Sequence, residues 1–229
     1  MAPMPQLPRS TRRELLDGDE IAPAELRRNL RDMAMLNRLA GGIGASVGAV
    51  AKLLNGGEGR PTVLDVGAGS GDFARALARA QSVRVLLADT RPDVLDVARR
   101  GSRGVSNLEF VHADARELPF ADGSVSVVHA SLLMHHLDPP DATRALHEMS
   151  RVASRGVVIN DLRRSHLALA MTALPVLAFS RSPVTRHDGV LSARRAYTLP
   201  ELDDLAADAG LRPVARTVSW WPRVTTTYR

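Results

Sequence analysis

The segment Val63–Phe73, VLDVGAGSGDF, is where residue types and spacing most clearly indicate chemistry in this 229-residue chain. A short apolar run leads into a turn that contains Gly67, Gly69 and Gly71, and a helical pattern follows. Glycines allow the backbone to turn sharply and to approach a ligand closely. The N-terminus of the following helix favours a carboxylate or phosphate group. Because ordinary loops often share this composition, the turn indicates a ligand only through its place between a strand and a helix.

Two aspartates follow the next two apolar runs. Asp89 closes the second run, where its carboxylate could accept hydrogen bonds from both hydroxyls of a ribose. Asp114, in VHADA, follows the third run and could accept a hydrogen bond from an adenine amine. Each aspartate could instead cap a helix or shape a loop. Because all three signals fall at the ends of consecutive predicted strands, together they indicate an adenosine-containing ligand.

The elements that must position these residues alternate between strand and helix. The sequence predicts helices over 72–79, 92–100 and 141–152, and strands over 62–66, 83–88, 108–112, 125–130 and 156–160. Thr198 and Glu201 are spaced as a capping box, and Gly210 ends that helix. The tail after Arg212 is expected to form two antiparallel strands that turn near Pro222. The predicted fold class is therefore α/β, a doubly wound, mostly parallel seven-stranded sheet with an antiparallel C-terminal hairpin.

Two helices, predicted over 23–40 and 43–54, precede the first strand and indicate an N-terminal cap. We therefore predict a helical cap or lid over 1–58 and a catalytic domain over 59–229. An insert at about 166–198 contains an apolar stretch, 167–179, and a segment, TRHDGVLSARRAYT, predicted to be a polar loop. The cap and the apolar stretch are expected to form an acceptor pocket. Four methionines are predicted for its adaptable wall: Met33, Met35, Met134 and Met171.

The composition excludes several function classes. The chain has no cysteine, which excludes disulfides and thiolate chemistry and fits a cytoplasmic protein. The net charge is +5, but the arginines are scattered among acidic residues and aromatic residues make up only 3%, so nucleic acid is not an expected partner. The N-terminus lacks a secretory signal pattern. The stretch 167–179 is shorter than the roughly 20 residues needed to span a bilayer, so stable membrane insertion is not expected, although a peripheral contact stays open.

These motifs resemble those of class I S-adenosylmethionine (SAM)-dependent methyltransferases. VLDVGAGSGDF resembles the first motif of that family, Asp89 the second, and HADARELPFADGSVSVVHA the third and fourth. The resemblance implies that Asp65 and the glycines face the methionine part of SAM, Asp89 the ribose and Asp114 the adenine. This sequence departs from the family pattern at Thr90-Arg91, where the family often has an apolar residue that contacts adenine. The implied cofactor-binding set is Asp65, Gly67, Ala68, Gly69, Gly71, Asp89, Thr90, Asp114, Ala115, Ala130 and His135.

Three further segments, NLRDMAMLNRLAGG, VINDLRRS and TRHDGVLSARRAYT, look like a bacterial subgroup that modifies small molecules and polyketides. The resemblance implies conversion of SAM to S-adenosylhomocysteine (SAH). The apolar lid with few aromatic residues suggests a small, partly apolar acceptor, such as a phenolic polyketide. Oxygen is favoured as the methylated atom, with carbon and nitrogen left open. A homodimer is possible.

Histidines are the candidate bases, because a phenol must lose a proton during methylation. His136, after the fourth strand, and His187, in the predicted loop, are the proposed catalytic residues. Asn160 and Asp161 end the fifth strand and could orient the acceptor. No metal is expected, because adjacent histidines rarely bind one ion and no acidic cluster joins His135 and His136. The other histidines are assigned to the fold or the surface: His112, His129, His147 and His166.

Three alternatives stay open. A nicotinamide dehydrogenase is disfavoured because Asp72 stands where the third glycine of its fingerprint belongs, and a carboxylate there would repel a pyrophosphate. A nucleic-acid amine methyltransferase would carry a DPPY-like turn directly after the fourth strand. The sequence Asp138-Pro139-Pro140-Asp141 lies farther on and lacks the aromatic residue that would stack on a flipped base. A non-catalytic SAM-binding module is the third alternative.

Overall fold

The computed structural model describes residues 6–18, 21–39, 41–56, 59–180, 182–219 and 222–229. Within them lies one seven-stranded sheet with the strand order β3-β2-β1-β4-β5-β7-β6. The first five strands in this order pair in parallel, whereas β7 runs antiparallel to both β5 and β6. The predicted fold class, a mostly parallel sheet with an antiparallel C-terminal hairpin, is confirmed.

The strands follow the predicted positions closely. They are β1 Thr62–Val66, β2 Arg84–Asp89, β3 Leu108–His112, β4 Val125–Ser131, β5 Ala153–Leu162, β6 Pro213–Val218 and β7 Arg223–Tyr228. The helices are α1 Pro23–Leu39, α2 Gly42–Leu54, α3 Asp72–Ala80, α4 Pro92–Gly101, α5 Pro139–Val152, α6 His166–Phe179, α7 Pro183–Arg195 and α8 Leu199–Asp208, and short 3-10 turns cover Leu15–Asp17 and Met134–His136. The end of the predicted helix 23–40, at Ala40, and residues 220–221 of the predicted hairpin lie outside the described residues.

Both faces of the sheet are covered, which is why its central strands are almost continuously apolar. One core lies between the sheet and helices α5 and α8, and the other lies between the sheet and helices α2 and α3. Helix α2 packs against β4 and β5, so the N-terminal segment contributes to the helical layer of the sheet. The carboxyl ends of the parallel strands are thereby held at one rigid edge.

The segment predicted to be a polar loop is instead helix α7, so that prediction was wrong. The Ser182 hydroxyl caps the helix by accepting the Thr185 N–H at 3.0 Å, and Pro183 starts the first turn. Asp188 and Arg195 are buried and form hydrogen bonds to the N-terminal segment, residues 6–18. The Asp188 carboxylate accepts the Leu15 N–H, and Arg195 donates to the carbonyl oxygen of Arg12. Because the inward face of this helix is polar, its sequence lacks the apolar periodicity that normally reveals a helix.

The apolar stretch 167–179 forms α6, whose first turn is capped by the Ser165 hydroxyl. Leu167, Leu174 and Leu177 on this helix are largely exposed. No helix in the described ranges is long and apolar enough to cross a membrane.

The C-terminal elements match their sequence signals. Thr198 and Glu201 form the predicted capping box at the start of α8, with both reciprocal hydrogen bonds present. Gly210 takes a left-handed conformation, with φ of 77°, just after the helix ends. The antiparallel strands β6 and β7 lie on either side of Pro222, as predicted.

Gly156 in β5 gives a stability prediction. Its φ is 147°, and a Cβ atom there would lie 2.5 Å from the backbone oxygen of Tyr228. We expect Gly156→Ala to lower the free energy of unfolding by about 1–3 kcal/mol, because β5 and β7 would have to move apart. In contrast, Gly48→Ala in α2 meets nothing within 4 Å and should raise stability by about 1 kcal/mol. Urea denaturation of both variants measures the difference, and equal effects would contradict the proposed clash.

Candidate cofactor and acceptor site

A cavity of about 570 Å³ opens at the carboxyl ends of β1, β2 and β4. Its walls come from the glycine-rich turn, the residues that follow β2 and β3, the loop after β4, helix α1 and the segment around Asp17. This volume lies within the range of sites that enclose a small molecule. Open α/β sheets bind their ligands at this edge, next to the strand where the chain order reverses.

The glycine-rich turn is held against β2 by backbone hydrogen bonds. Gly67 and Ala68 both donate N–H groups to the carbonyl oxygen of Ala88, at 2.9 and 3.0 Å. Gly67 and Gly69 take left-handed conformations and line the cavity. Gly71 is not in the wall. A Cβ atom on it would lie 2.9 Å from the Leu87 side chain, so Gly71 allows α3 to pack closely on the sheet.

Asp89 lies at the end of β2 and lines the cavity together with Thr90. Its carboxylate accepts the N–H of Gly69 at 3.2 Å and the N–H of Arg91 at 3.0 Å. Burial raises the pKa of Asp89, and the two backbone donors partly oppose that rise. The carboxylate is thus fixed beside the glycine-rich turn, with acceptor capacity left for a ligand.

Asp114 lines the cavity beside Ala115 and is paired with Arg116 at 2.6 Å. The same guanidinium reaches Asp141 at 2.8 Å. The hydrogen bonds from Arg116 lower the pKa of Asp114, so this carboxylate is ionised at neutral pH. A ligand amine would have to share the carboxylate with Arg116.

Asp65, at the cavity wall, is bonded to a buried histidine that sequence reasoning assigned only to the fold or surface. The Asp65 carboxylate lies 2.8 Å from Nδ1 of His129, and Nε2 of His129 lies 2.9 Å from the Ser46 hydroxyl. The His129 ring also stacks on Phe73, with ring centroids 3.6 Å apart. All of these bonds are satisfied when His129 carries its proton on Nδ1 and accepts the Ser46 hydroxyl proton on Nε2.

The same network continues across the sheet. The side-chain amide of Asn160 donates to the Ser46 hydroxyl at 2.8 Å, and Arg223 of β7 donates to Asn160 at 3.1 Å. Arg223 also donates to Ser131 at 2.9 Å and to Asn37 of α1, two residues that line the cavity. Burial lowers the pKa of Arg223 to about 10, so it stays charged at neutral pH. No local motif marks Arg223, because its partners lie far away along the chain.

The histidines predicted to act on the ligand lie in different places. His136 lines the cavity, and its Nδ1 lies 2.8 Å from Asp17. Burial disfavours the charged ring, but the hydrogen bond to Asp17 and the charge of Glu14 outweigh it and raise the pKa of His136 to about 9. His136 is therefore protonated at neutral pH and is a poor proton acceptor. His135 is buried and His187 lies on α7, and the cavity wall includes neither.

The N-terminal cap contributes to the cavity, but α6 does not. Leu30, Met33, Ala34 and Asn37 of α1 line it, whereas no described residue of α6 is in the wall. Of the four methionines predicted for the wall, only Met33 is there: Met35 is largely exposed, Met134 is buried in the core, and Met171 of α6 is partly buried outside the wall. Ala130 is buried within β4 and is not in the wall.

Comparison with known proteins agrees with this geometry. Residues 63–156 match the family model described as "Methyltransferase domain". A SAM-dependent methyltransferase from Aquifex aeolicus superposes with a TM-score of 0.63 at 18% identity, covering 91% of this chain and 98% of the other. A part of the chain therefore matches the methyltransferase-domain model, and the chain shares the fold of the Aquifex aeolicus methyltransferase.

Two relatives are more specific in name. A "Demethylmenaquinone methyltransferase" from Clavibacter sepedonicus is 39% identical over 94 residues, which cover 41% of this chain and 37% of the relative. A "Ubiquinone/menaquinone biosynthesis C-methyltransferase UbiE" from Klebsiella pneumoniae is 30% identical over 154 residues, which cover 65% of this chain and 55% of the relative. The chain thus spans about half or less of the length of these relatives.

Proposed function

We propose that this chain is a SAM-dependent methyltransferase that acts on a small, partly apolar acceptor. The observation that carries the proposal is the cavity at the strand ends, where the glycine-rich turn, Asp89 and Asp114 line one wall. SAM carries no phosphate, so the carboxylates of Asp65 and Asp72 at the same wall would not repel it as they would a pyrophosphate. The same feature argues against a nicotinamide dehydrogenase.

In this proposal the cofactor lies along the ends of β1, β2 and β3. Asp89 accepts the ribose hydroxyls, Asp114 accepts the adenine amine, and Gly67 and Gly69 let the backbone approach the methionine part. Asp65, held by His129, attracts the positively charged amino group of that part. These positions would place the sulfonium near the loop after β4. The protein then has to align the acceptor with the methyl group and exclude water, because SAM is already activated.

The acceptor would occupy the part of the cavity between α1 and the loop after β4. Leu30 and Met33 supply apolar surface there, and Arg13 and Arg195 supply positive charge. Such a wall suits a hydroxylated aromatic ring, because a nearby cation stabilises the phenolate that attacks the methyl group. A phenolate can react through oxygen or through a ring carbon. The sequence favours oxygen, whereas the UbiE relative is named as a C-methyltransferase. Methylation of nitrogen is a further alternative.

The test begins with titration calorimetry of SAM, SAH and NADH. Binding of SAM and SAH without NADH is expected, and the reverse pattern would contradict the cofactor assignment. Release of SAH is then measured with a panel of phenols, quinols and amines. NMR of the methylated product distinguishes an O-methyl from a C-methyl group. Cofactor binding without SAH release on any acceptor would favour a non-catalytic SAM-binding module.

Several broader expectations also belong to this proposal. They are a cap over 1–58, a catalytic domain over 59–229, a cytoplasmic location and the possible homodimer. Light scattering on the purified chain measures the last of these directly.

A further inference from the structure

Glu14, His135 and His136 converge beside the cavity in a way that proton transfer and cofactor binding do not explain. Each residue offers one ligand atom, a ring nitrogen from each histidine and a carboxylate oxygen from Glu14, and these three atoms lie within 4.8 Å of one another. Nε2 of His135 lies 3.8 Å from Glu14, and Nε2 of His136 also lies 3.8 Å from Glu14. These separations are too long for hydrogen bonds. We propose that these three side chains bind a divalent first-row transition metal ion such as Zn²⁺.

The first supporting observation is an unpartnered nitrogen. The His135 side chain is 1% exposed, and its Nε2 has no hydrogen-bond partner among the described residues. A buried polar atom without a partner costs free energy, so such atoms are rare unless a ligand satisfies them. Nε2 points toward Glu14, whose side chain is also buried, at 3% exposed. A cation between the two groups would satisfy both.

The second observation is the carboxylate behind each imidazole. Nδ1 of His135 lies 2.6 Å from Asp161, and Nδ1 of His136 lies 2.8 Å from Asp17. A carboxylate that accepts Nδ1–H fixes the orientation of the ring and leaves Nε2 as the ligand atom. This arrangement is typical of histidines that bind metal ions. In His136 the ion would displace the proton that Nε2 carries at neutral pH. Glu14 is also positioned, because one of its oxygens accepts the Ser192 hydroxyl at 2.9 Å.

The charge balance and the donor atoms indicate which ion fits. Three carboxylates, those of Glu14, Asp17 and Asp161, bond to or face the two imidazoles. The guanidinium of Arg195 lies close enough for its charge to act on Asp17, but its own hydrogen bonds go to the backbone carbonyls of His135, His136 and Arg12. Two nitrogens and a carboxylate suit zinc and its neighbours, whereas Mg²⁺ and Ca²⁺ prefer oxygen ligands. The ligand atoms of one tetrahedral zinc ion lie about 3.3 Å apart. The ligand atoms of Glu14, His135 and His136 must therefore move closer together by roughly 1 Å when the ion binds.

The ion would join two distant parts of the chain. Glu14 belongs to the N-terminal segment, whereas His135 and His136 lie in the 3-10 turn after β4. The sequence analysis expected no metal, because adjacent histidines rarely bind one ion and no acidic cluster joins the pair in the sequence. As a metal ligand, His136 would have no lone pair free to act as a base. The ion would then hold the N-terminal wall of the cavity in place.

The test uses the full chain after dialysis against a chelator, titrated with ZnCl₂ in a calorimeter. One Zn²⁺ per chain is expected, with no comparable uptake of Mg²⁺. His135→Ala and Glu14→Gln should weaken zinc binding by at least roughly 100-fold, and Asp17→Asn by roughly 10-fold. His147→Ala is the matched control, because His147 is an exposed histidine of α5. It should bind zinc like the wild type.

The absorption spectrum of Co²⁺-loaded wild type provides a second readout that needs no substitution at the site. Bands of a four- or five-coordinate ion with nitrogen and oxygen ligands are expected. The proposal is overturned if the wild type binds no zinc, if His135→Ala binds zinc as tightly as the wild type, or if His147→Ala loses it. Titration with SAM on the same samples keeps the two proposals separate, because failure to bind SAM contradicts only the methyltransferase function.

Discussion

Replacing Asp89 with alanine is expected to weaken binding of SAM and SAH by roughly 10- to 100-fold. This range corresponds to the loss of hydrogen bonds to a charged group, about 1.5–3 kcal/mol. Asp89 is fixed at the end of β2 by the N–H groups of Gly69 and Arg91, so its carboxylate is held in place before any ligand binds. Titration calorimetry at neutral pH measures the dissociation constants of both ligands.

The matched control is Asp96→Ala, which removes an exposed aspartate from α4 together with its ion pair to Arg99. It should leave SAM binding within about twofold, because exposed ion pairs contribute little. Asp89→Asn separates charge from shape, since it keeps one acceptor oxygen. Because Asp89 also holds the glycine-rich turn, the melting temperature of each variant must be recorded. Unchanged SAM affinity in a folded Asp89→Ala protein would contradict the ribose-binding role.

His129→Ala is expected to lower the free energy of unfolding by about 3–5 kcal/mol, because it leaves a cavity in the core and removes the hydrogen bond to the buried Asp65 side chain. His129 is 0% exposed, and the structure gives the buried Asp65 carboxylate a hydrogen bond from its Nδ1. The substitution also removes the stacking contact with Phe73. SAM binding should weaken in the same variant, because Asp65 would lose its fixed position. Urea denaturation measures the stability change.

His129→Phe distinguishes hydrogen bonding from packing, because it keeps an aromatic ring against Phe73 but removes both ring nitrogens. If the hydrogen bond to Asp65 dominates, His129→Phe should be destabilised nearly as much as His129→Ala. Recovery of most of the stability in His129→Phe would instead show that packing dominates. His147→Ala, an exposed position on α5, should change stability by less than about 0.5 kcal/mol.

The sheet and the cofactor half of the site could be predicted because their signals are local. A strand, a glycine-rich turn and a helix follow one another in Val63–Phe73, and Asp89 closes the next strand. Such patterns depend on residues that are neighbours in the chain. The capping box of Thr198 and Glu201 was predictable for the same reason.

The features that were missed depend on residues distant in sequence. Helix α7 buries polar side chains against the N-terminal segment, so its pattern resembled a loop. His129 looked like an ordinary strand residue because Ser46 and Asp65 come from other elements. The proximity of Glu14 to the histidine pair likewise exists only after folding. No spacing rule applies to such sets, because tertiary packing alone brings them together.

The buried network from Asp65 to Arg223 also bears on how the chain folds. Its members come from α2, β1, β4, β5 and β7, so it cannot form from any short stretch of chain. Pairings between distant segments form slowly, because loop-closure entropy opposes them. The last strand, β7, has to pair with β5 before Arg223 can reach Asn160. Asp65 and the cavity wall should therefore reach their final geometry late in folding, so a folding intermediate without β7 should not retain ligand.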